Sequence, residues 1–408
     1  MKKISVLVWN EFTHDKRVKN ISRSFSEYGY DVTVIAAKPY KGLLISENGK
    51  VKIKRIPLFS SLYSKPKNIF SESKIREKMQ RESIFRFIKN NKIRLYITAF
   101  LNWLSFNLGL FFVGIYTKPD IVYANDLDTL TVGYLISKIC RAKLIFDSHE
   151  IWFFGYRYIH SSKFHQLIWR ILQKILITKT DATIVTTDTR AEYIKKEYNL
   201  KKVHTIRNCS RFQEVHPSTL LRDEFKIAEN KLILIYHGAI HEARGIYNIV
   251  DAVREIDDIA VVFMGKGAGL LDLRDYIIQN QLEEKIFIKD AVLPDQVLKY
   301  VASADIGIQL FHYTFNHYTV ISNKLFECIM AGIALISNDF PEMKKIIQED
   351  KIGEIVDYKD LTKVKEIIMK LAKNRKLLEL YKANSRKVRK KHSWGNEEKK
   401  IIKIVESL

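Results

Sequence analysis

Apolar residues along this chain gather into short continuous runs, each followed by a stretch with helical spacing. The run "ISVLVWN" at residues 4–10 leads into an amphipathic pattern from Lys16 to Tyr28, Gly29 ends it, and "DVTVIAA" begins the next run. "IVYAND", "KLIFDSHE", "ATIVTT" and "VHTIRN" continue the series with helical segments between them. Strands alternating with helices predict βαβ units and a parallel sheet. Runs of Val, Ile and Leu without polar alternation fit strands covered by helices on both faces.

The rhythm loosens at residues 209–231, "CSRFQEVHPSTLLRDEFKIAENK", and then starts over. "LILIYHG", "IAVVFMGKG", "KIFIKD", "IGIQLF", "IALISND" and "IGEIVD" each lead into a helical stretch. This predicts an α/β protein of two doubly wound domains joined near residue 220, bounded as 1–215 and 216–390. The closing "SWGNEEKKIIKIVESL" reads as one amphipathic helix, taken as a separate segment, 391–408, that packs back toward the N-terminal domain. A length of 408 residues, more than one core usually serves, agrees with two domains.

Composition changes the picture in three places. A hydrophobic content of 47% is ample for packed cores and excludes a mainly disordered chain. A balance of 68 Lys and Arg against 46 Asp and Glu leaves +22, a field that attracts polyanions: nucleic acid, an anionic membrane surface or phosphorylated substrates. Cys140, Cys209 and Cys328 are far apart and lack metal-ligand spacing, which fits a reduced, cytosolic compartment. The apolar run at the start is too short for a signal peptide and reads as the first strand. The stretch "YITAFLNWLSFNLGLFFVGIY" at residues 96–116 approaches membrane-spanning length but is broken by Asn102, Ser105 and Asn107; it reads as a span, or as a buried or membrane-apposed helix.

Ligands of open parallel sheets bind beyond the carboxyl ends of the strands, so the candidate chemistry lies in the loops there. "FDSHEIW", residues 146–152, ends a strand in Asp147, Ser148, His149 and Glu150, a set suited to binding hydroxyls or to capping a helix. Asp126 and Asp128 form an Asp-x-Asp pair that fits a cation, or a cap for a helix starting near Thr129. The glycine loops "HGAIHEARG" and "MGKGAG" allow close approach of a phosphate to Gly238 and Gly265, with Arg244 and Lys266 to neutralise it. No Walker motif occurs. In "SNKLFECIMAG", Ser322 reads as a helix cap and Gly332 as its stop. The free N–H groups at Ser322 and Asn323, with Lys324 in the first turn, offer a seat for a diphosphate. Glu327, one turn in, is placed to accept hydrogen bonds from a ribose.

The order of "NDLDTL", "DSHE", "HGAIHEARGI", "VVFMGKG", "ASADIGIQLF" and "SNKLFECIMAG" resembles the retaining glycosyltransferases of family 4 over nearly the whole chain. The resemblance implies the GT-B fold, two Rossmann-like domains facing across a cleft. It implies that Glu327 binds the donor ribose, that Arg244 contacts the diphosphate and that His149 lies near the transferred sugar and the acceptor. The "HDKRV" start, with Asp15 and Arg17, is similar to a first loop bordering the cleft; with Asp126 and Glu150 it forms the acceptor side. Three positions depart from the usual pattern: Thr319 stands where many relatives have a sugar-contacting Glu, Asn125 where many have His, and Ala239 where many have a second basic residue.

The expected activity is therefore transfer of a sugar from a nucleotide diphosphate sugar to an acceptor hydroxyl with retention, in cell-surface glycan biosynthesis. No metal or other cofactor is expected. A GT-B-like nucleotide-sugar epimerase and a non-catalytic polyanion-binding protein are the alternatives; nucleic acid is not an expected partner, because basic and aromatic residues are not interleaved as a stacking platform. The basic and aromatic stretch at residues 61–96, with Phe70, Ile84, Phe85 and Phe87, predicts contact with an anionic leaflet. The expected location is cytoplasmic, peripheral on the inner face of the cell membrane, with a lipid-linked or glycan acceptor.

Overall fold

A computed structural model describes residues 1–13, 15–38, 45–58, 101–159 and 161–408. The chain divides into two compact units: Met1–Trp152 with Ser162–Ile184 and Ile404–Leu408, and Phe153–Ser161 with Val185–Lys403. The basic stretch at 61–96 lies outside the described residues, as does the start of the apolar segment at 96–116.

The first sheet runs β3-β4-β2-β1-β5-β6-β7-β8. Its strands are β1 (Lys3–Leu7), β2 (Asp31–Ala37), β3 (Ile45–Asn48), β4 (Val51–Ile56), β5 (Ile121–Asn125), β6 (Lys143–Ser148), β7 (Ala182–Val185) and β8 (His204–Thr205). β1 pairs in parallel with both β2 and β5, so the strand order reverses at β1 and β5, the switch point where doubly wound sheets bind ligands. β2–β4 and β5–β6 are parallel as well, whereas β3 runs antiparallel to β4. Gly49 and Lys50 form the two-residue loop of that hairpin, with glycine first and at φ +67, where a side chain would be strained.

Helices of the first unit follow from local chemistry. α1 (Lys16–Glu27) starts where Asp15 accepts a hydrogen bond from the Val18 amide and buries Val18, Ile21 and Phe25. Residues 101–116 form α2, and α3 (Leu127–Cys140) follows β5. α4 (Lys163–Ile177) is capped by Ser162. Among the described residues no helix is long and apolar enough to cross a membrane.

The second sheet is wholly parallel in the order β11-β10-β9-β12-β13-β14. It comprises β9 (Leu232–Ala239), β10 (Ile259–Lys266), β11 (Ile286–Asp290), β12 (Ile306–Gln309), β13 (Ala334–Asn338) and β14 (Gly353–Val356), with the switch point between β9 and β12. β9 buries six successive residues from Leu232 to His237, as expected of a strand covered on both faces. The remaining helices, in chain order, are α5 (Asp188–Tyr198), α6 (Ile246–Val253), α7 (Leu270–Gln279), α8 (Asn323–Ala331), α9 (Pro341–Asp350), α10 (Leu361–Lys373), α11 (Arg375–Val388) and α12 (Trp394–Glu406), the last of which runs into the closing residues of the first unit. α8 begins and ends at the expected residues: the Ser322 hydroxyl accepts from the Lys324 amide, and Gly332 adopts a left-handed φ of +78. Its flank from Leu325 to Ala331 is buried throughout, Glu327 included.

Candidate active site

Most of the expected donor-side residues of the second unit converge at its switch point. β9 ends in His237, Gly238 and Ala239, and a short turn at Glu242–Arg244 leads to Gly245. Gly245 has φ +69, and a Cβ there would lie 1.7 Å from the Leu310 carbonyl oxygen, so only glycine fits. This turn sets the Arg244 guanidinium 4.8 Å from the centre of the Phe311 ring, and Arg244 Nε lies 3.3 Å from His241 Nε2.

Lys324, in the first turn of α8, brings its ammonium to 5.6 Å from the Phe311 ring and 5.9 Å from the Tyr236 ring. Its side chain lies over Gly238, where a Cβ would meet Lys324 Cε at 2.4 Å. Burial, helped by repulsion from Arg244, pushes the Lys324 amine down to about 8. Two cations gathered on one aromatic ring beside a helix start repel each other, and an anion placed between them removes that repulsion.

Glu327 is buried, with Oε2 3.0 Å from His237 Nε2. A pocket of about 360 Å³ opens beside them, lined by His237, Gly238, Ala239, Met264, Gly265, Lys266, Ala291, Val292, Val297 and Glu327. It thus has apolar walls, two glycine turns and a fixed carboxylate, the composition of a site for a ring with hydroxyls attached. Lys266 stands exposed at its margin, and Asn323 is exposed at the start of α8.

Sequence reasoning passed over His237, His241, Phe311 and His317. His317 donates from Nδ1 to the His312 carbonyl at 2.8 Å and is pushed down to about 4 by burial, with Arg244, His241 and Lys324 adding to the effect. It is therefore neutral at physiological pH. The signal available was the density of imidazoles in the first glycine loop, "YHGAIHEARG", and in "FHYTFNHY" just before α8. Thr319 is fully buried: its hydroxyl donates to the Phe315 carbonyl at 2.9 Å and accepts from Arg190 Nε at 3.1 Å.

In the first unit the polar set sits at the ends of β5 and β6. Asp147 is buried and accepts from Arg17 Nε at 2.9 Å, Arg17 Nη2 at 2.7 Å and the Tyr123 hydroxyl at 2.7 Å. This fork of charge holds the Asp147 carboxyl well below the usual carboxylate range despite its burial. His149 lies between two carboxylates: Nδ1 is 3.3 Å from Asp126 Oδ2 and Nε2 is 3.4 Å from Asp147 Oδ2. Against the opposing effect of burial, these two acids raise His149 to about 9, so it is an imidazolium at neutral pH.

Asp126 adopts φ +60, a left-handed value uncommon outside glycine, and is held there on both sides. Its amide donates to the Asp147 carbonyl at 2.9 Å and its carboxylate accepts from the His149 amide at 2.9 Å. Asp128 does not cap α3, which already begins at Leu127; it lies in the first turn, pushed up to about 8 by burial and by Asp126. Asp15 caps α1 and accepts from Asn10 Nδ2 at 2.7 Å, while Glu150 is exposed. The structure thus brings Arg17, Asp126, Asp147 and His149 into one network and leaves Asp15 and Glu150 beside it. Among the described residues no group of three or more His, Cys, Asp or Glu side chains is arranged to hold a metal ion.

Comparison with known proteins agrees with the two-unit architecture. The sequence profile for Glycosyltransferase Family 4 matches residues 15–209, and that for Glycosyl transferases group 1 matches residues 218–388, so the two together span most of the chain. The chain is a group 1, family 4 glycosyltransferase. It is 21% identical over 289 residues to an uncharacterized glycosyltransferase of Methanocaldococcus jannaschii, covering 68% of this chain and 72% of the relative. In structure, this glycosyltransferase is similar to the sucrose-phosphate synthase of Thermosynechococcus elongatus, with a TM-score of 0.74, 12% identity, and coverage of 100% of this chain and 99% of the other. It is also similar to Anabaena HepE in complex with UDP-glucose, with a TM-score of 0.71, 14% identity and full coverage of both chains. These likenesses establish the GT-B fold expected from the motifs.

Proposed function

We propose that the second unit binds a nucleotide diphosphate sugar and that the enzyme transfers the sugar, with retention, to a hydroxyl of a lipid-linked or glycan acceptor in cell-surface glycan biosynthesis. The observation that carries this reading is the pairing of Arg244 and Lys324 on the Phe311 ring beside the pocket that holds Glu327. In this arrangement the diphosphate lies against the two cations, Gly238, Gly265, Lys266 and the start of α8 at Ser322 and Asn323. The ribose meets Glu327 and the base occupies the apolar pocket. Anabaena HepE, solved with UDP-glucose, supports this class of donor.

In the transfer, the bond from the anomeric carbon to the diphosphate oxygen breaks and its electron pair leaves with the diphosphate. The acceptor oxygen attacks from the same face and its proton passes to the departing oxygen, so no carboxylate serves as nucleophile. Positive charge at Arg244 and Lys324 stabilises the leaving group as it develops. On the first unit, His149 with Asp126, and Asp15, Arg17 and Glu150 around them, serve the acceptor side; the buried ion pairs of Arg17 and the cap of Asp15 make those two supports of that side's shape. Thr319, being wholly buried, does not reach the sugar, so recognition falls to other groups of the second unit.

The enzyme needs no metal and works at the cytoplasmic face of the membrane, where the positive balance of +22 favours an anionic leaflet. The test is a panel of nucleotide sugars read by thermal shift and then by transfer in EDTA. A ligand at 100 times its dissociation constant adds about 2.7 kcal/mol of stability. Stabilisation by one nucleotide family and metal-independent transfer are expected. Release of an isomerised sugar without acceptor, or activity lost in EDTA and restored by Mg²⁺ or Mn²⁺, would overturn the corresponding part.

A further inference from the structure

Helix α4, Lys163–Ile177, is apolar on two opposite sides. Trp169, Leu176 and Ile177, with Gln173, are buried, and Trp169 packs at 5.8 Å from Trp152 and donates from Nε1 to His165 Nε2 at 2.7 Å. On the other side Phe164, Leu167, Ile168, Ile171 and Ile175 are exposed, from 39% at Ile168 to 73% at Phe164. At about 100° per residue these five positions fall within an arc of roughly 100°, turned away from the buried set. The outward side of a surface helix is normally polar, so a continuous stripe of five large apolar side chains marks a surface built to be covered.

The charge beside that stripe says what covers it. Lys163, Arg170 and Lys174 are exposed and follow a row along one margin of the apolar arc, and the helix contains no Asp or Glu. α3, which packs against α4, exposes Leu135 and Ile139 with Lys138 between them. A second copy docking through the same stripe in a two-fold contact would set two such basic rows at one interface, with no acidic residue on α4 to offset them. Anionic headgroups attract the exposed Lys163, Lys174 and Lys138 while the acyl boundary takes the apolar side chains, which is the arrangement of an interfacial helix.

We propose that α4 is a membrane-docking helix, lying in the plane of an anionic leaflet with Phe164, Leu167, Ile168, Ile171 and Ile175 toward the acyl chains and Lys163, Arg170 and Lys174 among the phosphates. This deepens the membrane location proposed above, on which it rests, by naming the surface that makes the contact. In sequence it is distinct from the basic stretch at 61–96, which lies outside the described residues.

The test is sedimentation of the full chain with vesicles of phosphatidylcholine alone or mixed with phosphatidylglycerol, at low and high salt. Wild type is expected to partition to the mixed vesicles and to be released by salt. Phe164→Ser with Ile171→Ser is expected to lower partitioning at least ten-fold. The triple change Lys163→Ser, Arg170→Ser, Lys174→Ser is expected to remove most of the dependence on phosphatidylglycerol. All these positions are exposed, so melting temperature and nucleotide binding should stay at wild-type values; the single change Ile171→Glu serves if the double variant does not fold. Undiminished binding by both sets of variants overturns the assignment to α4 and leaves the location standing. Failure of wild type to bind at low salt overturns both. A dimer in solution that the double change dissociates, without vesicle binding, identifies a second copy as the occupant and overturns the proposal.

Discussion

His237 Nε2 stands 3.0 Å from Glu327 Oε2, with both side chains buried. The histidine lies two residues before the end of β9 and the glutamate sits one turn into α8, so the contact crosses the switch point and fixes one carboxylate oxygen where a ribose is proposed to bind. A hydrogen bond to a charged group contributes about 1.5–3 kcal/mol, and a carboxylate that loses its support must be held by the ligand instead. His237→Phe is therefore expected to raise the donor KM roughly 10- to 100-fold with a smaller change in kcat, and His237→Gln to recover part of the loss. Glu327→Ala should weaken nucleoside recognition at least as much. An unchanged donor KM in a folded His237→Phe enzyme would show that the pair serves only the core.

Arg244 acts at a different stage. Set over Phe311 and pressed by Lys324, it is proposed to neutralise charge that grows on the diphosphate as the sugar departs. Removing one donor to such a developing anion typically costs about 10²–10³ in kcat. Arg244→Ala is expected to show a loss of that order at saturating donor, together with weaker diphosphate binding, while its melting temperature stays close to wild type because the side chain is half-exposed. Single-turnover rates with excess donor separate the two effects, and a full wild-type kcat would remove Arg244 from the leaving-group role.

Lys324 gives the donor site a pH dependence with a definite sign. Its amine is pushed down to about 8, so the cation is lost as pH rises through that value in the free enzyme. Affinity for a nucleoside diphosphate is expected to be flat below about pH 7 and to fall above about 8. Proton uptake on binding should accompany the fall, since the diphosphate favours the charged amine. In Lys324→Arg, whose guanidinium stays charged, calorimetric titration across pH 6.5 to 9.5 should show a flat affinity profile. The same alkaline fall in the arginine variant would assign it to another group.

What the sequence disclosed was largely what local chemistry determines. The strands of the second sheet were legible as continuous apolar runs, and α8 was bounded correctly because its cap at Ser322 and its stop at Gly332 act within a few residues. The β3–β4 hairpin was passed over because its residues are mostly polar and Gly49 in its two-residue loop is a weak signal by itself. The partner of Glu327 was not legible: His237 is 90 positions away and looks from the sequence like the end of one more strand. Arg17 and Asp147, 130 positions apart, were read as separate loop residues and are one buried pair. Asp15 could have been read as a cap, since it directly precedes the amphipathic stretch at Lys16.

His149 offers a test on the first unit that needs no substrate. With its proton it bridges Asp126 and Asp147, and its pKa is raised from the ordinary 6.5 to about 9. A group whose pKa is higher in the folded state stabilises fully below its unfolded value, and that contribution disappears as pH rises through the folded value. The contribution of His149 should therefore be complete below about pH 6.5 and lost by about pH 9.5. Asp128, pushed up to about 8, acts in the same direction at lower pH, since its folded form holds a proton that the unfolded chain has released. The comparison that isolates the histidine is wild type against His149→Gln. Their difference in melting temperature is expected to be largest near pH 6.5 and to shrink steadily toward pH 9.5. Imidazole nitrogen shifts from ¹⁵N-histidine labelling should show one ring still doubly protonated at pH 7.5 that disappears from the spectrum of the variant. A His149 ring that is neutral at pH 7.5 would mean that Asp126 and Asp147 do not hold it as a charged bridge.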